Sequence, residues 1–286
     1  DSRGESELRG LGGSTLLREA AVTGQEGMVR VLLANGAGKD ALDDQGESAL
    51  TAEAHRRHLA VVDTLLAAGA DSNICGGSAH TALTAAALRG FLDILKATLA
   101  RGADANAVGG HEQTPLHVAA SVGGDRAIDA LIRAGGDVDR KTHGNTPLHM
   151  AARSLRRRTM RTLLRHGANV KARTGSHLFT PLHLVCRTQT RRTEAAADFL
   201  LRWGADETAL DHDGKTPADM LDSDAFHELF PRSSQDEIDR IRLLLARAPA
   251  DRAWRRRGWL VMLRSRASMA EMPTCKGARR GSSADG

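Results

Sequence analysis

An internal repeat constrains this chain more than any other feature of its sequence. Rows begun at Thr15, Ser48, Thr81, Thr114, Thr146, Thr180 and Thr216 follow one another at spacings of 33, 33, 33, 32, 34 and 36 residues. A fixed period in this range means stacked supersecondary units, none of which can bury its apolar face alone. Three rows open on versions of one phrase: Thr114-Pro115-Leu116-His117-Val118-Ala119-Ala120, Thr146-Pro147-Leu148-His149-Met150-Ala151-Ala152 and Thr180-Pro181-Leu182-His183-Leu184-Val185-Cys186. A second phrase, close to Leu-Leu-x-x-Gly-Ala-Asp, recurs at Leu65 to Asp71, Leu99 to Asp104, Leu163 to Asn169 and Leu200 to Asp206.

These phrases predict a helix pair in each row. Thr caps a helix through its hydroxyl, and a Pro after it has the fixed φ of a first helical turn. The Leu two residues on and the small pair after it, such as Ala119 and Ala120, make an apolar face narrow enough for close packing. A second helix is expected after Gly24, Gly90 or Gly123, with Val61, Val62, Leu65 and Leu66 showing its periodicity. Gly36, Gly69, Gly102, Gly135, Gly167 and Gly204 stand where a left-handed cap closes it. The residues that remain in each row, rich in Asp, Asn and Gly, turn back as an extended finger. Cys186 fits a small core slot. Leu and Ala pairs packed in this way need few rings, which accounts for an aromatic content of 3%.

With the Thr-Pro-Leu-His phrase and the 33-residue period, the chain resembles the ankyrin repeat family. Six repeats and a divergent seventh are expected over 14–248, after a flexible segment at 1–13. The resemblance implies an all-α repeat protein, an ankyrin-type solenoid of stacked helix-turn-helix pairs with β-hairpin-like finger loops. It implies that His117, His149 and His183 hydrogen-bond the backbone of neighbouring units, and their recurrence at one position favours a scaffold role over catalysis. Arg18, Thr51 and Thr84 replace that His in the first three repeats, so those junctions are expected to be less firmly tied.

The family's partners lie against the finger tips and the exposed side of the first helices. Carried onto this sequence, that surface comprises Arg56, His80, Arg89, His111, His143, Arg153, His177, Phe179 and Arg187. Guanidinium forks suit planar anions, so the expected partner is a protein segment bearing Asp, Glu or phosphate; the other reading is a groove that is merely solvated. His111, His143 and His177 occupy matching finger positions, and as one rail they would strengthen binding of an acidic ligand near pH 6. With Phe179 as the surface's only aromatic, binding should be modest and salt-sensitive. Asn73 and Asn106 stand where some ankyrin proteins are hydroxylated; a structural Asn accepting local backbone hydrogen bonds is the alternative.

Catalytic signatures are missing. Neither G-x-S-x-G nor a Walker-type loop nor G-x-G-x-x-G occurs, and His227-Glu228 fails as a metalloprotease motif because residue 231 is Pro. His55 and His58 have no third ligand at zinc spacing. A non-enzyme without cofactor, metal or small-molecule substrate is expected. Cys75, Cys186 and Cys275 are odd in number and encode no disulfide framework, pointing to a reducing intracellular compartment, cytoplasm or nucleus; a monomer is expected.

The formal charge of +5 is unevenly placed. From Arg240 onward, 12 Lys plus Arg oppose 3 Asp plus Glu, a balance of +9; residues 1–239 hold the other 28 against 32, a balance of −4. Ser234 and Glu237 form a capping box ahead of Ile238, Ile241, Leu244 and Leu245, a helix expected to stop at Pro249. A basic amphipathic helix is expected over 249–270, with Arg252, Arg255, Arg256 and Arg257 around Trp254, and a disordered tail over 271–286. That helix either covers the last repeat or meets an anionic membrane or nucleic acid. Three extra residues between Thr188 and Glu194 bring Arg191 and Arg192 into the sixth repeat. With Arg156, Arg157 and Arg158 at the equivalent loop before it, they form either a basic patch on the edge opposite the fingers or a solvated loop. The function expected from all this is a non-enzymatic protein-interaction module or scaffold. The alternatives are a substrate-recruiting adaptor of a ubiquitin ligase and a peripheral surface binder acting through the basic helix.

Overall fold

The computed structural model describes residues 16–77, 80–109, 111–222 and 234–248. The expected flexible segment, the basic helix with Arg252, Arg255, Arg256 and Arg257, the tail and His227-Glu228 lie outside the described residues.

Six helix pairs follow in chain order: α1 (Leu16–Val22) and α2 (Glu26–Ala34), α3 (Ala49–Ala54) and α4 (Leu59–Ala67), α5 (Ala82–Arg89) and α6 (Leu92–Ala100), α7 (Pro115–Val122) and α8 (Asp125–Arg133), α9 (Pro147–Arg153) and α10 (Arg157–Arg165), α11 (Pro181–Thr188) and α12 (Thr193–Arg202). A 3₁₀ turn at Asp219–Asp222 opens the seventh row, and residues 235–248 are helical up to the edge of the described residues (α13). Each first helix from α3 onward starts one residue after its Ser or Thr. Ser48, Thr81, Thr114 and Thr180 accept the amide three residues on through the hydroxyl, and Pro115, Pro147 and Pro181 occupy first-turn positions. After the second helices, Gly36, Gly69, Gly102, Gly135, Gly167 and Gly204 take φ of +84°, +77°, +84°, +91°, +90° and +89°, the left-handed cap expected of them.

Packing follows the repeat. The first helices lie side by side in order from α1 to α11, the second helices likewise from α2 to α10, and the 3₁₀ turn packs on α11. Leu50, Leu83, Leu116, Leu148 and Leu182, one from each of the second to sixth rows, are fully buried, and in the second row Val61, Val62, Leu65 and Leu66 are buried on the facing helix. Each such leucine contributes roughly 1.5–3 kcal/mol of burial free energy. Cys186 is buried among them, and burial pushes its thiol up to about 12, so it stays protonated. Ser234 and Glu237 form their capping box at α13, Ile241 and Leu245 are buried, and Arg240 pairs with Glu194 of α12 at 3.2 Å.

Two polar ladders tie neighbouring repeats. The first runs through the histidines. Nδ1 of His149 accepts the Thr146 amide at 3.1 Å and Nδ1 of His183 accepts the Thr180 amide at 3.1 Å. An amide can only donate, so the proton of each ring sits on Nε2, which donates to Phe179 O at 3.0 Å and Lys215 O at 3.2 Å. His117 does the same to Asn145 O at 2.9 Å. In every case the acceptor is the residue just before the next repeat's Thr.

The second ladder runs through the fingers. The Asn73 side chain accepts the Asp104 amide at 3.0 Å and that of Asn106 accepts the Asp137 amide at 2.8 Å, while Asp40 and Asp139 do the same for Asp71 and Asn169. The side chains of Asn73 and Asn106 therefore bond across to the following repeat, while their backbone amides bond Asp71 and Asp104 within their own fingers.

The junctions without His differ from one another. Arg18 crosses the first by an ion pair with Asp43 at 2.8 Å, so that junction is tied by another bond. Thr51 and Thr84 bond Ser48 and Thr81 of their own repeats and are too short to reach further. The sixth-repeat insertion is not a solvated loop throughout. Gln189, with φ of +42°, is buried and donates to Met220 O at 3.2 Å and Leu221 O at 3.0 Å, clamping the 3₁₀ turn.

Burial lowers the pKa of His117, His149 and His183 from the ordinary 6.5, in His149 to about 4. A second ring proton would also have to point at the donors already aimed at Nδ1. Each ring is therefore neutral in the fold but protonated in the unfolded chain below pH 6.5, so the unfolded state binds more protons and stability falls as pH falls from 6.5 towards 4. For His149 alone this amounts to about 2 kcal/mol at pH 5. Thermal unfolding should show a falling midpoint across this range, and H149Q should flatten the slope.

Candidate functional site

The fingers and the exposed ends of the first helices form one surface of the repeats. Arg56 follows α3, Arg89 and Arg153 end α5 and α9, and Arg187 lies in the last turn of α11, so the two-layer packing sets four guanidiniums near the C-terminal ends of first helices. Arg56, Arg89 and Arg153 are exposed and form no ion pair among the described residues. The matching place in the fourth repeat carries Ser121 and Val122, which divides the cationic positions into two groups.

In the first group, three imidazoles meet. His55 lies edge-on to His80, with ring centroids 5.4 Å apart, and His80 edge-on to His111 at 5.7 Å. Both ring nitrogens of His55 are shielded from solvent without a hydrogen-bond partner. Burial lowers the His55 pKa, and His80, Arg89 and Arg56 lower it further, with Glu47 opposing. In the same repeat His58 Nδ1 meets the fully buried Glu53 carboxylate at 2.5 Å; burial raises the Glu53 pKa and His58 pulls it back. No group of three His, Cys, Asp or Glu able to hold a metal ion occurs among the described residues.

In the second group, Phe179 is the platform. His177 stacks on its ring at 5.2 Å with planes 20° apart, and the Arg187 guanidinium lies over it at 5.5 Å. Partial burial, and after it the charge of Arg153, lowers the Arg187 pKa. Two cations are thus held close enough to repel.

The single rail expected from His111, His143 and His177 does not form. His111 meets His80, His143 faces Glu112 at 3.5 Å, and His177 lies on Phe179. The cause is one residue of spacing. In the fourth and sixth fingers the left-handed residue is Glu112 (φ +53°) or Leu178 (φ +54°), two before the Thr; the fifth is shorter, and His143 itself (φ +48°) takes that conformation beside Gly144 (φ +75°). Positive φ at both central residues is the pattern of a tight hairpin turn, closed here by Thr142 and Asn145 bonding each other in both directions. A Cβ at Gly144 would come within 2.4 Å of the Gly175 amide, so this turn also sets how closely two fingers approach. The His55–His80–His111 contact escaped sequence reasoning because His55 belongs to a helix end and the other two to fingers.

Comparison with known proteins agrees with the repeat. A family model described as ankyrin repeats, three copies, matches residues 83–174. Among solved structures, the human ASB11 ankyrin repeat domain is 24% identical with a TM-score of 0.67, covering 81% of this chain and 98% of its own. The ankyrin repeat domain of Bcl-3, described as a unique member of the IkappaB protein family, is 26% identical with a TM-score of 0.67, covering 80% and 99%. No curated protein matches the sequence. No helix among the described residues is long and apolar enough to cross a membrane.

The imidazole contact makes a direct prediction. His55 should titrate below 6.5 by NMR, and H80A, which removes both a cover and a neighbouring charge, should move that pKa upward.

Proposed function

Because the chain is an ankyrin repeat protein, we propose that it is a non-catalytic interaction module that holds an acidic or phosphorylated protein segment against its fingers and first-helix ends. The observation that carries this reading is the paired arrangement of cations: Arg56 and Arg89 near His55, and Arg187 over Phe179 with Arg153 near it. Arg153 and Arg187 raise each other's energy in the free protein, and an anion between them removes that cost. Arg is also the side chain whose planar fork meets carboxylate or phosphate with two hydrogen bonds.

Spacing narrows the partner. Neighbouring helices lie 8–10 Å apart, so Arg89 and Arg153, two repeats apart, are separated by roughly 16–20 Å. An extended chain advances about 3.3 Å per residue, so the segment that satisfies both groups carries acids about five or six positions apart. The fourth repeat, with Ser121 and Val122 at the matching place, faces the residues between them. His80 and His111 at one end, and His177 on Phe179 at the other, gain attraction for such a segment when protonated.

Fluorescence anisotropy with a synthetic peptide bearing two Asp-Glu pairs five residues apart tests the reading. Micromolar binding is expected, weakened by salt, and at least about tenfold weaker for R89E/R153E. Binding that is equal in that variant, or indifferent to the spacing of the acids, contradicts it.

A further inference from the structure

Away from the fingers, the loops between the paired helices form a cleft of 620 Å³ at the N-terminal ends of α8, α10 and α12. Arg156, Arg157, Arg158, Arg191 and Arg192 line it, with Asp125 as the only acid in the lining. The Asp125 carboxylate already accepts the Thr159 hydroxyl at 2.7 Å. None of the five arginines forms an ion pair among the described residues.

This arrangement breaks the local rules of a stable helix. The N-terminal end of a helix carries partial positive charge and unpaired amides, so it favours acids in the first turn. The first turn of α10 has no acid and begins Arg157-Arg158; its N-cap is Arg156, and that of α12 is Arg192, neither with a capping side chain. Five like charges at such ends repel one another and the helix dipoles together. The second helices α2, α4, α6 and α8 also lack a capping side chain, but their N-caps are Gln25, His58, Phe91 and Gly124, none of them an arginine. What sets this place apart from the other second-helix starts is five arginines gathered in one recess, and such a concentration of like charge marks a site.

We propose that this cleft binds a small free anion carrying several phosphate groups. Its volume lies within the range of small-molecule pockets, and guanidinium forks with open helix amides are the donors such an anion needs. A membrane surface is disfavoured because none of the exposed large apolar residues, such as Met28, Val31 or Leu88, lines the cleft. The site is separate from the finger surface and stands or falls without it.

Calorimetric titration of the full chain with inositol hexakisphosphate is the test. One equivalent should bind, at least tenfold more weakly to R157Q/R191Q, and within twofold of wild type to R89E/R153E. Without the anion, R157Q/R191Q should unfold at the same or a higher temperature than wild type, since it removes repulsion. The proposal is overturned by absence of binding, by equal binding to R157Q/R191Q, or by a lowered unfolding midpoint in that variant without the anion. Binding to phosphoinositide vesicles with none to the soluble anion overturns it as well.

Discussion

Three buried imidazoles, His117, His149 and His183, each hold the start of their own helix through a Thr and the end of the next finger through a carbonyl. One neutral ring thereby fixes a helix start and the approach of the next repeat to it. The leucines between the layers supply most of the burial energy, yet hydrophobic contact has no direction. The ring has two opposite nitrogens with fixed roles, and so sets register. Everything displayed on the exposed side, from Arg89 to Arg187, is positioned by that register.

The segregation of charge follows from the same plan. A core closed by Leu, Ala and neutral His leaves most of the Lys, Arg, Asp and Glu of the repeats to the fingers and the outer faces and ends of the helices, Glu53 being buried. There the acids serve mostly in turns, as Asp71, Asp104 and Asp137 accept the amides two residues on. Arginines are then free to collect in two separate places, the ends of the first helices and the starts of the second. The first place presents guanidiniums beside rings on an open surface, which suits an extended acidic segment. The second gathers them around a recess, which suits a compact anion.

Much of this was readable from the sequence because the rules involved are local. Thr114, Pro115 and Gly135 act within a few residues of themselves, so the helix starts, caps and buried faces fall where the phrases put them. Residues that act across a repeat boundary were harder to read. Asn73 and Asn106 bond the following repeat because the finger brings an amide 31 residues away to the side chain. Gln189 is buried because the insertion folds onto the 3₁₀ turn. His143 departs from the rail expected of it because one residue fewer in the finger places it in the turn itself. In each case the deciding quantity is a backbone direction set by loop length, which spacing from the next Thr does not reveal.

If the rings set the register, stability must vary along the repeats. Junctions spanned by His117, His149 and His183 should open less often than those at Thr51 and Thr84, whose side chains stop within their own repeats. Native-state hydrogen exchange read by mass spectrometry measures this directly. The predicted result is slower exchange in α7, α9 and α11 than in α3 and α5. Uniform protection, or stronger protection in α3 and α5, would contradict the claim that the buried imidazoles hold the repeats in place.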